Sequence, residues 1–140
     1  METKQLIESW KIHNRINLYL LTSIRDEHLA DLSASKGRNV GEQFAHMHNV
    51  RLMWLKAADP ELLQGLSKID KDARISKKLL TEILTQSSKA IISLFVKVFE
   101  QGKVKGFEPH PAAFFTYLIS HESHQPRADY ISAKAVRTSG

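Results

Sequence analysis

Asn39-Val40-Gly41-Glu42-Gln43-Phe44-Ala45-His46-Met47-His48-Asn49-Val50-Arg51-Leu52-Met53-Trp54-Leu55-Lys56-Ala57-Ala58-Asp59-Pro60 reads as one complete helix with its start and stop signals. Asn39 followed by Glu42 has the form of a capping box with asparagine in the serine or threonine position. Asp59-Pro60 ends the run, because the residue before a proline is pushed out of the helical region. Phe44, Leu52 and Leu55 supply apolar packing. His46 sits mid-helix on a largely apolar face, with Gln43 three residues before it and Val50 and Met53 four and seven beyond.

The chain on either side is also helical. Upstream, Leu6, Trp10, His13, Ile16, Leu20, Ile24 and His28 step by three and four, which predicts a helix from about Thr3 to Leu29. Ser33 to Arg38 reads as a loop. Downstream, Pro60 to Ile75 is a connector with room for one short helical turn. Ser76 can cap a third helix that ends before Gly102, with Leu80, Ile83, Leu84, Ala90, Ile91, Leu94, Phe95 and Val98 as its buried face. After a loop, a fourth helix begins near Pro111, since proline is tolerated in a first turn. No strand alternation or internal repeat interrupts this order. The expectation is an all-α fold, an antiparallel four-helix bundle in a single domain spanning residues 1–140.

Composition narrows the chemistry. The chain of 140 residues has 42% hydrophobic and 25% charged residues, ordinary values for a packed globular core. It has no cysteine, so disulfides, thiolate metal sites and a cysteine nucleophile are all excluded, and any metal must sit on nitrogen and oxygen ligands. The formal charge is +5, but the lysines and arginines are scattered apart from small clusters such as Lys68 to Lys78. Nucleic-acid binding is therefore not expected, because a basic footprint should be concentrated. No apolar run approaches the roughly 20 residues that span a bilayer, and Met1 to Trp10 is too polar for a signal peptide. The expected address is the cytoplasm, with no membrane partner.

Seven histidines are many for this length. His13, His28 and His110 fall near helix edges or in a loop and read as surface or boundary residues. An isolated imidazole at His46 would more often be a hydrogen-bonded core residue than a ligand, and His48 reads as a packing residue or an outer donor. His121 follows Phe114, Tyr117 and Leu118 by seven, four and three residues, which places it on the inward stripe of the fourth helix. His124 and Gln125 lie three and four residues later, within reach of the same ion. A helical pair at that spacing can chelate a divalent metal if another helix completes the shell, and His46 is the natural donor. His121-Glu122-Ser123-His124 is not a zincin motif, which needs histidine where Gln125 stands.

Val40-Gly41-Glu42-Gln43-Phe44-Ala45-His46 resembles the first signature of the DinB-like (DinB/YfiT-like) family, and Ser120-His121-Glu122-Ser123-His124 resembles the start of its last-helix signature, which usually continues His-Arg-Gly-Gln. The resemblance covers nearly the whole chain in element order. It implies a four-helix bundle, frequent homodimerisation and a metal triad with one ligand from the second helix and two from the last, four residues apart. Those positions are His46, His121 and 125. The third is Gln125, a poorer ligand than imidazole for zinc or nickel, and His124 is the substitute at hand. The family also implies a cofactor of zinc, nickel, manganese or iron, and the chemistry of a metal-dependent hydrolase or a transferase acting with a small thiol. Glu122 reads as a surface residue or as one that supports a metal ligand from behind. The rival reading is a non-catalytic helical interaction module that has lost its metal site.

Residues 125–140 depart from the family pattern, and Pro126 would break a helix interior. The departure has a genetic reading. With codons chosen from those allowed for Gln125 to Arg137, deletion of one base in the first codon yields His-Arg-Gly-Gln-Ile-Ile-Leu-Ala-Leu-Lys-Arg-Ser, the family signature followed by an amphipathic helix end. On this reading the tail is frameshifted, and the last helix kinks or ends near Gln125 before any resumption over 128–136.

Overall fold

The computed structural model describes residues 2–30 and 38–124. The elements are α1 (Thr3–Thr22), a 3-10 turn (Asp26–His28), α2 (Val40–Ala58), a second 3-10 turn (Pro60–Leu63), α3 (Lys77–Gln101) and α4 (residues 111–124). There is no strand among the described residues, and the four helices form the expected bundle. The expected loop over 33–38 falls outside the described residues except for Arg38, as does everything expected of Gln125 and the tail.

The predicted boundaries of α2 and α3 hold because their caps form. The Glu42 N–H donates to Asn39 Oδ1 at 2.7 Å and the Asn39 N–H to Glu42 Oε1 at 3.1 Å, so both bonds of the capping box are present. The Leu79 N–H donates to Ser76 Oγ, and Gly102 closes α3 at φ 76°, a conformation open to glycine. α1 is shorter than expected. It stops at Thr22, and the chain passes through Ser23 into the 3-10 turn rather than continuing to Leu29.

Topology follows from the ends. α1 finishes where α2 and α3 both begin: the Gly41 N–H donates to the Leu29 carbonyl at 2.8 Å, and the Lys77 N–H to Asp26 Oδ1 at 2.9 Å. At the opposite end, Lys97 of α3 pairs with Asp59 just after α2, and Phe107, leading into α4, packs edge-on against Trp54. So α1 and α2 are antiparallel, as are α3 and α4. The connector over residues 59–76 carries the chain back along the bundle, which leaves α2 and α3 parallel. Gly41 marks a close approach at the first end, where a Cβ would lie 3.1 Å from Ile75 Cγ2 and 3.3 Å from Leu29.

Two apolar cores fill the bundle. One gathers Leu21, Val40, Phe44, Leu80 and Leu84 near the end where α2 and α3 begin, the other Trp10, Leu55, Leu94, Phe95, Phe114 and Leu118 near the opposite end. α3 has the length and composition of a membrane span, although no unbroken apolar run marks one. In the bundle its apolar face, with Leu80, Leu84, Ile91, Leu94 and Phe95, is fully buried, and it packs against both α1 and α2.

Candidate metal centre

Between the two cores lies a layer of buried polar side chains. Arg51, on α2, is fully buried. Its Nε and Nη2 donate to both oxygens of Glu122 at 2.8 Å, Nη2 also to Asn14 Oδ1, and Nη1 to the Leu84 carbonyl and Ser87 Oγ. The guanidinium stands 5.0 Å over the Trp10 ring, whose Nε1–H donates to Ser88 Oγ. A carboxylate only accepts, so the 2.9 Å contact from His13 Nε2 to Glu122 Oε1 fixes the proton on that nitrogen. Asn17 Nδ2 reaches the same oxygen at 3.4 Å. Burial pushes the Glu122 carboxyl up, but the charge and hydrogen bonds of Arg51 and the contact with His13 outweigh it and hold the group below its ordinary value.

Two sequence expectations are corrected here. Glu122 is only 1% exposed and sits in the interior rather than at the surface, and His13 is buried against it rather than at a helix edge. The inward stripe of α1 shifts accordingly, with Asn14 and Asn17 inside while Ile16 faces out at 39% exposure. The missed signal is that Asn14, Asn17 and Arg51 fall at helical spacing among Trp10, Leu21, Met47 and Leu55, all buried.

This layer sets the rotation of α4. With Glu122 locked inward, His121 stands about 100° around the helix, toward α2. There it meets His46, with ring centroids 6.3 Å apart and planes inclined at 61°. Tyr117, one turn earlier, stacks on His121 at 5.9 Å and also packs against Trp54. Both histidines are half-buried, and His124 is exposed. His121 and His124 share a shallow cavity of about 700 Å³ along α4 with His110 and Tyr117. Gln125 lies outside the described residues. Among those described, no group of three His, Cys, Asp or Glu side chains is placed to hold one ion.

Two further histidine-flank residues serve the scaffold. His48 is buried, and its Nε2–H donates to the Ser67 carbonyl at 2.8 Å, while burial lowers its pKa below the usual 6.5. Asn49 exchanges two hydrogen bonds with the backbone of Ile69. Together they pin the connector against α2.

The sequence model of the DinB family matches residues 1–125. This chain belongs to the DinB family. Comparison with curated proteins finds no match, and neither does comparison with solved structures. The match to the DinB family extends through both signatures and stops at Gln125, where the departing tail begins.

Proposed function

We propose that this DinB-family chain binds a divalent metal ion through His46 and His121, with His124 or Gln125 completing the protein donors, and that it acts as a metal-dependent hydrolase or as a transferase working with a small thiol. The supporting observation is the convergence of two imidazoles from α2 and α4, far apart in sequence, at 6.3 Å between centroids. Imidazoles bound about 2.0–2.1 Å from a tetrahedral ion have centroids roughly 5 Å apart, so ring rotation and a small shift bring this pair into range. Gln43, one turn before His46 on α2, is buried, and neither of its amide atoms has a hydrogen-bond partner among the described residues. A nitrogen and oxygen donor set suits zinc, nickel, manganese or iron.

Such an ion supplies Lewis acidity, lowering the pKa of a bound water or thiol. The chain's own residues do the placing: His46 on α2 and His121 on α4 bring their rings together, and Arg51 with Glu122 prevents α4 from turning His121 away. The family resemblance also supports a homodimer, for which Ile12, Ile16 and Tyr19 offer an exposed apolar stripe on α1. Trp10 and Trp54 are respectively buried and half-buried in the bundle and lie outside that stripe.

Zinc titration in competition with a chromophoric chelator tests the site. His46→Ala and His121→Ala should each weaken zinc by at least about a hundredfold, beyond what loss of an outer hydrogen-bond partner costs. Comparing His124→Ala with Gln125→Ala identifies the third donor. Parent-like affinity in both His46→Ala and His121→Ala would remove the proposal and leave the non-catalytic interaction module.

A further inference from the structure

A second cavity, of about 590 Å³, opens beside His46 between α2 and the connector. Its size falls within the range of small-molecule sites. Val50 and Met53 line it from α2, Leu63 and Leu66 from the connector. The connector wall is fixed rather than loosely draped: His48 holds Ser67 and Asn49 holds Ile69, one on each side of Lys68. Lys68 therefore stands at the rim, and Lys56 joins it from the last turn of α2. Neither lysine has an ion pair or hydrogen bond among the described residues, and no carboxylate lines the cavity. An adjoining recess shares His46, Asn49 and Lys68. It balances Arg38 and Lys71 against Glu42 and Asp70, so the excess positive charge stays with Lys56 and Lys68.

An apolar floor, two uncompensated cations at the rim and an imidazole at one end fit one chemistry. We propose that this groove binds a small organic anion with an apolar body, its carboxylate held by Lys56 and Lys68 and the body laid on Val50, Met53, Leu63 and Leu66 toward His46. Binding rests on the groove alone. Its role as the substrate pocket of the histidine site rests on the metal-site reading.

The test uses octanoate and its neutral counterpart octanamide on the full chain, by calorimetry and by methyl NMR, first stripped of metal with a chelator and then with zinc added. Octanoate should bind one per chain in the stripped protein and shift the methyls of Val50, Leu63 and Leu66. Exposed ion pairs contribute about 0.2–1 kcal/mol, so Lys56→Gln and Lys68→Gln should each weaken octanoate up to about fivefold. The double variant should weaken it roughly tenfold, to the level of octanamide, whose own affinity stays unchanged. Leu66→Glu, which puts a like charge in the wall, should abolish octanoate binding. Equal affinity for octanoate and octanamide, an unaffected double variant, or shifts confined to another face would overturn the proposal. The two readings fail separately: octanoate binding without zinc binding removes only the metal site, and zinc binding without octanoate binding removes only the groove.

Discussion

Arg51 carries the only formal charge on the buried face of α2, and its partner Glu122 is as fully enclosed. Removing one member of a buried pair strands the other, at a cost of about 3–5 kcal/mol. Arg51→Ala should therefore lose roughly that much in urea denaturation. Replacing both with apolar residues of similar volume, as in Arg51→Met with Glu122→Leu, should recover most of it, because a well-packed apolar pair escapes the desolvation cost. If the double variant is as unstable as Arg51→Ala, the layer does more for stability than charge pairing. His48 gives a pH signature. The unfolded chain takes up a proton near 6.5, whereas folded His48, desolvated and using Nε2–H to hold Ser67, resists protonation to lower pH. Its contribution to stability is thus present above 6.5 and lost as pH falls through the depressed folded value. His48→Gln keeps a donor for Ser67 without the titration, so the difference in unfolding free energy between parent and variant should shift in the variant's favour from pH 7 to 5. A constant difference would contradict this role.

Among the elements, α2 and α3 were legible because their ends are encoded locally, by Asn39 with Glu42 and by Ser76 with Gly102. Asn39→Ala should cost about 1 kcal/mol in chemical denaturation; no loss would mean that Gly41 packing against Leu29 and Ile75 alone fixes the helix start. α1 was read too long and on a partly wrong face, because apolar periodicity finds oily stripes and cannot reveal that Asn14 and Asn17 have a buried arginine layer to join. The surface reading of Glu122 failed for the same reason: a carboxylate on an isolated helix looks like surface until its cation on another helix is known. The approach of His46 to His121 was legible from position and from the short signatures around them. The family match ends at Gln125, and the frameshift reading of the tail makes its own prediction. Replacing residues 125–136 with His-Arg-Gly-Gln-Ile-Ile-Leu-Ala-Leu-Lys-Arg-Ser should tighten zinc binding and raise the melting temperature together. A gene whose codons cannot yield that peptide in the shifted frame would end the frameshift reading.

For the whole molecule, composition and helical periodicity were enough to indicate a four-helix bundle. The parallel run of α2 and α3 was not evident, because it depends on long-range contacts at the bundle ends rather than on any local pattern. The same return path lays the connector along α2 and builds the groove beside His46. On the outer face of α1, Ile12, Ile16 and Tyr19 leave an apolar stripe, with Tyr19 70% exposed. If it is the homodimer seam, light scattering should give a dimer for the parent and a monomer for Ile16→Lys, with helical content unchanged. A parent that is monomeric at high concentration would remove that assembly. The central claim, that the bundle brings His46 and His121 together to hold a metal, is tested most directly by metal content. Elemental mass spectrometry on protein purified without an affinity tag or chelator should find near-stoichiometric zinc, nickel, manganese or iron in the parent, and none in His46→Ala or His121→Ala. A folded parent that carries no metal and takes up none when these ions are added back would contradict it.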